Sequence, residues 1–459
     1  MNSVNKLTCF KAYDVRGKLC EEFNKDIAYR IGRAIAQSQQ AKAVAVGFDA
    51  RATSPDLAQA VAKGICDAGA DVLGIGLAGT EEMYAAVPTF DACAGIEVTA
   101  SHNPIDYNGM KIVGRGAQPL SEQEFGLIKT VAEESNFLQS QKTGVVLDKK
   151  EAARASYVEK VLGFVDCSNL KSLKIVINSG NGAAGPTVDA VNKKLKETGV
   201  QTNFVFVHRD PDPTFPNGIP NPLLEENRSS TADAVVKEGA DFGVAFDGDF
   251  DRCFFFDHLG RFIPGEYVVG LLAEIFLNKE KGATIIHDPR VIWNTIDVVG
   301  KSGGKAVASK TGHAFVKAAM RTRDAIYGGE MSAHHYFRDF FYCDSGVIPW
   351  LLVWEYLSTS NFLLSDLISE LRKRFPSSGE LNFTVPNAAT CIERVQNYFA
   401  LKATSIDELD GLSMSFDTWR FNLRKSNTEP LVRLNIETKG DDDLLKEKIE
   451  ELKILIKQP

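Results

Sequence analysis

The densest group of acidic residues in the chain is the hexapeptide D-G-D-F-D-R at 247–252, which follows a predicted apolar strand, Phe242–Phe246. Three carboxylates within five residues repel one another unless a cation lies between them. Mg²⁺ takes oxygen ligands and keeps several waters, so this loop could hold the ion and leave positions for phosphate. An EF-hand calcium loop is excluded, because its sixth position would be Arg252 and its twelfth His258. A solvated acidic turn is the structural alternative.

A second candidate is Ser101, in the sequence T-A-S-H-N-P at 99–104, which also follows a predicted strand, at 95–99. A loop at the carboxyl end of such a strand lies where α/β folds bind their ligands, so Ser101 is a candidate nucleophile. The hydrolase motif G-x-S-x-G is absent, and adjacent Ser101 and His102 tend to point in different directions, which disfavours a Ser-His triad. For S-H-N-P alone, a plain loop serine stays open.

A third motif, R-K-S-N-T-E-P at 424–430, combines a guanidinium, two hydroxyls and the amides of a turn. Such a group could bind a phosphate dianion without a metal. The alternative is a capped surface turn between strands.

The fourth motif is G-G-E-M-S-A-H-H at 328–335, directly after a predicted strand at 325–327. Its polar side chains suit a ring of sugar hydroxyls. The adjacent His334 and His335 lack a third ligand at helical spacing, so a structural or hydrogen-bonding role is favoured over a metal site.

The sequence G-I-G-L-A-G at 74–79 matches the glycine pattern of dinucleotide-binding loops. Leu77 and Ala78 are apolar, and no strand ending in Asp or Glu is available for a ribose. A tight turn between a strand and a helix is therefore favoured.

Helices and strands alternate around these motifs. An apolar strand at 43–48 precedes a helix at 54–68, for which Ser54 and Pro55 supply an N-cap and a first-turn proline. The alternation recurs over 174–246 and 267–327, and after about residue 375 it changes to strands and a charged helix at 442–456. The predicted class is α/β, with three similar α/β domains containing mixed sheets and a smaller C-terminal α+β domain around a central cleft. The predicted domains are 1–150, 151–255, 256–370 and 371–459.

Composition narrows the function classes. The chain has 459 residues, a formal net charge of −8 and a sequence pI near 5.6, which disfavours nucleic acid as a partner. No signal peptide and no apolar run of membrane-spanning length are evident, so no membrane partner is expected. The eight cysteines are scattered without metal-ligand spacing, which favours reduced thiols and a cytoplasmic location.

Together the motifs resemble those of the α-D-phosphohexomutase family, in particular its bacterial phosphomannomutase and phosphoglucomutase members. Further matching segments are K-A-Y-D-V-R-G at 11–17, the extension I-D-Y-N-G-M-K to residue 111, and F-P-N-G-I-P-N-P-L at 215–223. The resemblance spans nearly the whole chain. It implies a heart-shaped enzyme of four domains, each giving one loop to the active site, with a smaller and mobile last domain.

The resemblance also implies a role for each loop. Ser101 would carry the transferable phosphate, and one Mg²⁺ per chain would be held by a phosphoserine oxygen with Asp247, Asp249 and Asp251. Sugar hydroxyls would be bound by Glu330, Ser332 and His334. The phosphate that does not react would be bound by Arg424, Ser426, Asn427 and Thr428. The residues expected around the reacting phosphoryl group are Tyr13, Arg16, His102, Lys111 and Arg252.

The implied reaction interconverts mannose 6-phosphate and mannose 1-phosphate through a hexose 1,6-bisphosphate, and feeds GDP-mannose and surface polysaccharide synthesis. His102 or Lys111 would serve as general base or acid. Met331 and Asn427 depart from the G-E-K-S and S-G-T-E-P loops of phosphoglucosamine mutases. Ala333 stands where many relatives have glycine, and activity on both glucose and mannose phosphates stays open. The partners expected are small sugar phosphates, and the chain is expected to be a monomer or homodimer.

Two competing interpretations come from other classes. A phosphatase of the aspartyl-phosphate type would use Asp247 as nucleophile and Asp249 as acid, although Phe250-Asp251 is an unusual continuation of its motif. A nucleotide- or sugar-binding module would rest on the turn at 74–79, but a binder has no need for three acidic residues facing a loop serine.

Overall fold

The strands between Val15 and Asp148 form a six-stranded sheet in the order β1-β5-β4-β2-β3-β6, in which only β5 runs against the other strands. The computed structural model describes residues 6–425 and 431–458. The apolar sequence of β2 explains why the middle of this central strand is buried. The elements are β1 Val15–Lys18, α1 Lys25–Ser38, β2 Ala43–Phe48, α2 Ser54–Asp67, β3 Asp71–Leu77, α3 Thr80–Thr89, β4 Ala94–Val98, β5 Tyr107–Gly114, α4 Glu122–Glu134 and β6 Val146–Asp148.

The predicted N-cap of α2 is wrong by one residue. Thr53 occupies the cap position without a side-chain cap, and Ser54 is the first residue of the helix. The Ser54 hydroxyl instead donates to Asp49 Oδ1 at 2.6 Å. The Ser54 hydroxyl, which the sequence pattern assigns to the helix cap, is therefore hydrogen-bonded to the buried carboxylate of Asp49.

The next sheet has the order β11-β10-β9-β7-β8, with parallel pairing of β7 to β8 and β9 and antiparallel pairing of β9 to β10. Phe246 pairs with Cys253, so the acidic hexapeptide at 247–252 is the loop of a β-hairpin. The elements are α5 Lys150–Leu162, β7 Lys174–Asn178, α6 Ala184–Glu197, β8 Asn203–Val207, α7 Ser229–Glu238, β9 Phe242–Phe246, β10 Cys253–Asp257 and β11 Phe262–Ile263.

In the third region, β12 lies between the parallel strands β13 and β14, and β15 pairs with β16 in antiparallel fashion. The strand predicted at 325–327 is misplaced, because β14 begins only at Tyr327. The elements are α8 Gly265–Lys279, β12 Thr284–His287, α9 Trp293–Lys301, β13 Lys305–Ala308, α10 His313–Arg323, β14 Tyr327–Gly329, β15 His335–Phe337, β16 Cys343–Asp344, α11 Val347–Thr359 and α12 Leu364–Arg374.

The last sheet is antiparallel throughout, in the order β17-β21-β20-β19-β18. Its own core contains Val395 and Phe399 of a helix together with Phe421 and Leu434 of the sheet. The elements are β17 Ser377–Thr384, α13 Ala388–Phe399, β18 Ser405–Asp407, β19 Leu412–Ser415, β20 Trp419–Lys425, β21 Leu431–Thr438 and α14 Asp442–Lys457. The prediction of α/β domains with mixed sheets followed by an α+β domain is confirmed.

The chain divides into two units. The first unit comprises Met1–Phe262 and His334–Asn361, and the second comprises Ile263–Ala333 and Phe362–Pro459. In the first unit, Trp350 and Trp354 of α11 are buried, and their rings lie 5.7 and 5.5 Å from that of Phe204. None of the described helices combines the length and apolar character needed to cross a bilayer.

Candidate active site

Asp49, directly after β2, is linked to the Ser101 loop by hydrogen bonds through Thr99. Its Oδ2 accepts a hydrogen bond from Thr99 Oγ1 at 2.7 Å, and Thr99 Oγ1 accepts one from the Ser101 backbone N–H at 2.8 Å. Asp49 is 2% exposed, and burial raises its pKa. This relay fixes the backbone on which the candidate nucleophile is mounted.

Arg51 binds the backbone of the same loop. Its guanidinium donates to the carbonyl oxygens of Ser101 at 2.9 Å, Asn103 at 2.5 Å and Pro104 at 2.9 Å. Ser101 has a φ of +47°, a left-handed conformation that costs a non-glycine residue about 1 kcal/mol or more. The carbonyl contacts of Arg51 hold the loop in this strained shape.

Ser101 lies next to the acidic loop, although 146 positions separate it from Asp247. Its Oγ donates to Asp247 Oδ2 at 2.7 Å, and Arg252 donates to the same oxygen from Nε at 2.9 Å and from Nη2 at 2.6 Å. All three residues belong to the first unit. Ser101 and the acidic loop, predicted to share a site, are therefore brought together.

The three aspartates of the acidic loop form one cluster. Asp247, Asp249 and Asp251 are buried and offer oxygen atoms within 4.8 Å of one another. Lys111 Nζ contacts Asp251 Oδ2 and lies 2.8 Å from Asp249 Oδ2. Among the described residues, Asp249 Oδ1 and Asp251 Oδ1 have no hydrogen-bond partner. Two orphaned buried oxygens in an all-carboxylate set fit a hard divalent cation such as Mg²⁺.

The pKa values of two of these aspartates move in opposite directions. Burial alone would raise the pKa of Asp249, but the ammonium of Lys111 outweighs this and lowers it. Burial, and then the charge of Asp249, raise the pKa of Asp251 well above its usual value. A second positive charge in this cluster would keep all three carboxylates ionised.

The turn between β3 and α3 positions the acidic loop. Thr80 donates to Asp249 Oδ2 at 2.6 Å, and a Cβ on Gly79 would overlap the ring of Phe250. Gly76 lies inside β3, with a φ of +74°, at a shift in register between β2 and β3. The glycine motif at 74–79 therefore forms a bulged strand end and a close contact with Phe250, in agreement with the favoured tight turn.

His102 lies beside the serine hydroxyl, with Nδ1 3.1 Å from Ser101 Oγ. Arg252 donates to the same nitrogen, so Nδ1 is an acceptor. Desolvation by surrounding protein atoms, and then the charges of Arg252 and Arg16, lower the pKa of His102 well below its usual value, although 41% of its side-chain surface stays exposed. The lowered pKa favours the neutral imidazole, whose Nδ1 accepts from Arg252.

Two further residues predicted near the reacting phosphate lie on the N-terminal strand or just before it. Arg16, in β1, donates to Asn103 Oδ1 at 2.9 Å, which places it at the Ser101 loop. Tyr13 is half-buried in the turn that precedes β1.

His334 lies in the first unit beside the acidic loop. Its Nε2 is 3.7 Å from Asp251 Oδ1, and its backbone forms an isolated bridge with Arg252. Asp344 joins Asp251 and His334 in a second group whose potential ligand atoms lie within 4.8 Å of one another. His334 was predicted to bind sugar, and the structure adds these two carboxylates to its surroundings.

The other sugar-loop residues belong to the second unit. Glu330 is 1% exposed; its Oε1 accepts from the Gly312 backbone N–H at 2.9 Å and lies 3.9 Å from Arg290 Nη2. Ser332 is half-buried, and Ala333 has a φ of +69°. That left-handed conformation explains why a glycine suits this position.

Arg424, at the end of β20, donates to Glu380 Oε2 at 2.8 Å. The other residues predicted to bind the non-reacting phosphate, Ser426, Asn427 and Thr428, lie outside the described residues.

Sequence reasoning missed several residues that act on these loops. Asp49 and Arg51 form a D-x-R sequence directly after a strand, the same position that singled out the serine and acidic loops. Their position after a strand could therefore have marked Asp49 and Arg51 as candidate site residues. Nothing in the local sequence marks Thr80 or Arg290, because their roles depend on distant partners.

Comparison with known proteins agrees with this geometry. Models of the phosphoglucomutase/phosphomannomutase family match the chain in four parts: alpha/beta/alpha domain I at 7–138, domain II at 128–260, domain III at 264–375 and the C-terminal domain at 380–454.

Full-length relatives give the same result. A phosphomannomutase of Salmonella typhimurium is 54% identical over 457 residues, covering 99% of this chain and 100% of that protein. A protein named phosphohexose mutases from Xanthomonas campestris is 49% identical over 453 residues, covering 98% and 99%. The crystal structure of a phosphoglucomutase/phosphomannomutase family protein from Burkholderia thailandensis superposes with a TM-score of 0.86 at 31% identity, covering 98% and 97%. The chain therefore belongs to the phosphoglucomutase/phosphomannomutase family and is an isomerase that transfers a phosphoryl group within a hexose phosphate.

Proposed function

We propose that this enzyme interconverts mannose 6-phosphate and mannose 1-phosphate through a phosphorylated Ser101 and a hexose 1,6-bisphosphate. The observation that carries the proposal is the hydrogen bond between Ser101 Oγ and Asp247 Oδ2, 2.7 Å long, beside a cluster of three carboxylates. The 54% identity to a phosphomannomutase supports mannose phosphate as the substrate.

In the first half-reaction, a hydroxyl of the sugar phosphate attacks the phosphorus of phosphorylated Ser101. A bond forms to the sugar oxygen and the bond to Ser101 Oγ breaks, which gives the bisphosphate. His102 or Lys111 serves as general base for the proton of the attacking hydroxyl or as general acid for Ser101 Oγ, while Arg252 offsets negative charge around the phosphoryl group. Mg²⁺, held by Asp247, Asp249 and Asp251 with a phosphoserine oxygen, would supply further positive charge.

In the second half-reaction, the bisphosphate turns around and Ser101 attacks its other phosphate. Arg424, with Ser426, Asn427 and Thr428, holds whichever phosphate does not react. Sugar hydroxyls bind to Glu330, Ser332 and His334, and Tyr13 and Arg16 line the reacting end. Mannose and glucose differ only at C2, so dual specificity is the nearest alternative to a strict mannose enzyme.

The geometry of Asp247 argues against the aspartyl-phosphate alternative. Its side chain is fully buried, and Oδ2 accepts hydrogen bonds from Ser101 and from two nitrogens of Arg252. An oxygen engaged in this way is a poor nucleophile. Hydroxylamine distinguishes the two cases, since it cleaves an acyl phosphate and leaves a serine ester intact.

The test of the proposal is turnover of mannose 1-phosphate and glucose 1-phosphate with Mg²⁺ and a trace of hexose 1,6-bisphosphate. We expect a higher kcat/KM for mannose 1-phosphate, and equal values would overturn the mannose assignment. Peptide mapping of the phosphoenzyme should place an acid-stable phosphate on Ser101. Ser101→Ala should abolish this phosphate, and a phosphoenzyme that survives the substitution would contradict the proposed mechanism.

The pathway, the cellular location, the domain bounds and the oligomeric state are part of the same proposal. We place the reaction in the supply of GDP-mannose for polysaccharide synthesis, with a cytoplasmic location that the eight free cysteines support. The four-domain division at 1–150, 151–255, 256–370 and 371–459, and a monomeric or homodimeric state, also remain predictions.

A further inference from the structure

Two arginines face each other directly across neighbouring strands of the last sheet. Arg424 of β20 is the cross-strand partner of Arg433 of β21. Like charges in such a pair destabilise a sheet unless an anion lies between them. Glu380 of β17 supplies that anion, with Oε2 2.8 Å from Arg424 Nη2 and Oε1 3.2 Å from Arg433 Nη1.

A third guanidinium approaches the same carboxylate. Arg290 Nη1 lies 3.7 Å from Glu380 Oε2, and Arg290 Nη2 donates to Asp288 Oδ2 at 2.7 Å. The Nε atoms of Arg290 and Arg424 are buried and have no hydrogen-bond partner within 6–425 and 431–458. Burial, and then the charge of Arg290, lower the pKa of Arg424. Asp288 thus neutralises Arg290, and Glu380 is the carboxylate approached by all three guanidinium groups of this arginine cluster, Arg290, Arg424 and Arg433.

A β-bulge sets the position of Glu380. Ser377 pairs with Glu437 and Glu380 with Asn435, so β17 has one more residue than β21 between these pairs. Gly379, in the bulge, has a φ of +64°, and its carbonyl oxygen accepts from Asn435 Nδ2 at 2.9 Å. Ser378 Oγ accepts from the Ile436 backbone N–H at 2.9 Å. Bulges commonly redirect a side chain near a functional site. The hydrogen bonds to Ser378 and Gly379 fix the shape of this bulge and therefore the position of Glu380.

We propose that Glu380 is a competing counter-ion that occupies the arginine cluster when no substrate phosphate is bound and gives way when a phosphate arrives. The inference rests on the proposed function, in which Arg424 binds the phosphate that does not react. A phosphate dianion carries more charge and more acceptor oxygens than one carboxylate, so it displaces Glu380 from the guanidinium donors.

The alternation of Glu380 and phosphate at the arginine cluster would help a reaction whose bisphosphate intermediate must turn around. The bisphosphate has to release one phosphate from the arginine cluster before the other can bind. Glu380 returns to Arg424 and Arg433 as the phosphate leaves and replaces its negative charge. The carboxylate thus weakens phosphate binding and speeds phosphate release.

The experiment measures the binding of inorganic phosphate to the full-length protein by calorimetry, in wild type and in Glu380→Gln. We expect the Kd to fall about two- to five-fold in the variant, the equivalent of one partly exposed ion pair. Under the turnover conditions above, KM and kcat should both fall, because the phosphate binds more tightly and leaves more slowly. Glu393→Gln, an exposed change of the same charge in the same region, is the matched control and should change neither.

An unchanged or weaker phosphate affinity in Glu380→Gln would overturn the inference, since the carboxylate would then only orient the arginines. If Glu380→Gln does not fold, Glu380→Asp keeps the charge but shortens its reach, and it should give a smaller fall in Kd in the same direction.

The phosphate titration needs no turnover. Absence of mutase activity would therefore refute the proposed function without deciding this inference, and an unchanged Kd in a protein with normal mannose 1-phosphate turnover would refute the inference alone.

Discussion

Thr80 donates its hydroxyl to Asp249 Oδ2 at 2.6 Å and its backbone N–H to the Asp249 carbonyl oxygen at 3.2 Å, across 169 positions of the chain. Thr80→Val keeps the shape of the side chain and removes the first bond. We expect kcat to fall about ten-fold and half-activation to need more Mg²⁺, because one buried hydrogen bond to a charged group is worth about 1.5–3 kcal/mol. A Mg²⁺ titration of activity measures both.

The control for Thr80 lies on the same helix. Thr89, at the end of α3, donates to the Ala85 carbonyl oxygen at 2.7 Å. Thr89→Val should leave the Mg²⁺ requirement unchanged. An equal effect of the two substitutions would show that the Thr80 bond has no specific role.

The contact of Gly79 with Phe250 predicts a loss of stability. Gly79→Ala would force a methyl group into the buried ring of Phe250 and should lower the unfolding free energy by about 1–3 kcal/mol. Gly126, in the exposed part of α4, has open space at its Cβ position, so Gly126→Ala should be neutral or stabilising. Urea denaturation of both variants measures the difference, and similar unfolding midpoints would contradict the packing argument.

The buried Glu81 predicts a pH dependence of stability. Burial raises its pKa to about 8 from the ordinary glutamate value of 4.5. Between these values the folded protein holds one proton more than the unfolded chain, so the stability from neutral Glu81 is present below about pH 4.5 and lost as the pH rises to about 8. Oε1 of Glu81 accepts from the Gly346 backbone N–H at 3.0 Å, which a glutamine oxygen can also do.

Glu81→Gln should therefore match wild type near pH 5 and exceed it near pH 8.5 by a few kcal/mol, on the order of the linkage effect of one displaced pKa. Thermal unfolding at the two pH values measures the effect. Glu122→Gln, an exposed change in the first turn of α4, should follow wild type at both. A Glu81→Gln protein with an unchanged pH profile would show that Glu81 is ionised in the fold.

Lys111 predicts a link between metal and stability. It pairs with both Asp249 and Asp251, and Lys111→Met should lower the unfolding free energy by about 3–5 kcal/mol, because the carboxylates lose their cation. Mg²⁺ should restore more stability to this variant than to wild type, since a ligand that binds only the folded state stabilises it. Melting temperatures with EDTA and with Mg²⁺ test this. Lys63→Met, which removes an exposed pair, is the control, and equal responses to Mg²⁺ would contradict the prediction.

Continuous apolar runs made some elements predictable to the residue. The strands at 43–48 and 242–246 have the predicted bounds, because both are apolar throughout, as buried strands commonly are. The helix α11 was not predicted, because it is apolar on all sides and shows no helical periodicity. The strand at 325–327 was misplaced because Ala325 and Ile326 are as apolar as the strand that follows them.

The candidate site was predictable where its residues follow strands along the chain. This position marked Ser101 and Asp247 as candidates, the family resemblance implied that they share a site, and their side chains do form a hydrogen bond. The partners that orient them were not predictable, because Arg51 acts through carbonyl oxygens about fifty positions away. Glu380 gave no signal, because a surface glutamate in a strand looks ordinary until the bulge beside it is known.

The interleaved course of the chain constrains how this protein is made. Trp350 and Trp354 complete the packing around Phe204, yet a ribosome finishes residues 263–333 before it reaches them. A nascent chain that has passed residue 262 still exposes aromatic surface that α11 covers in the folded protein, and it must avoid aggregation while the intervening segment emerges. Expression clones that stop at the end of the second sheet should for the same reason be insoluble, and a soluble version needs residues 334–361 supplied on a linker or as a separate peptide.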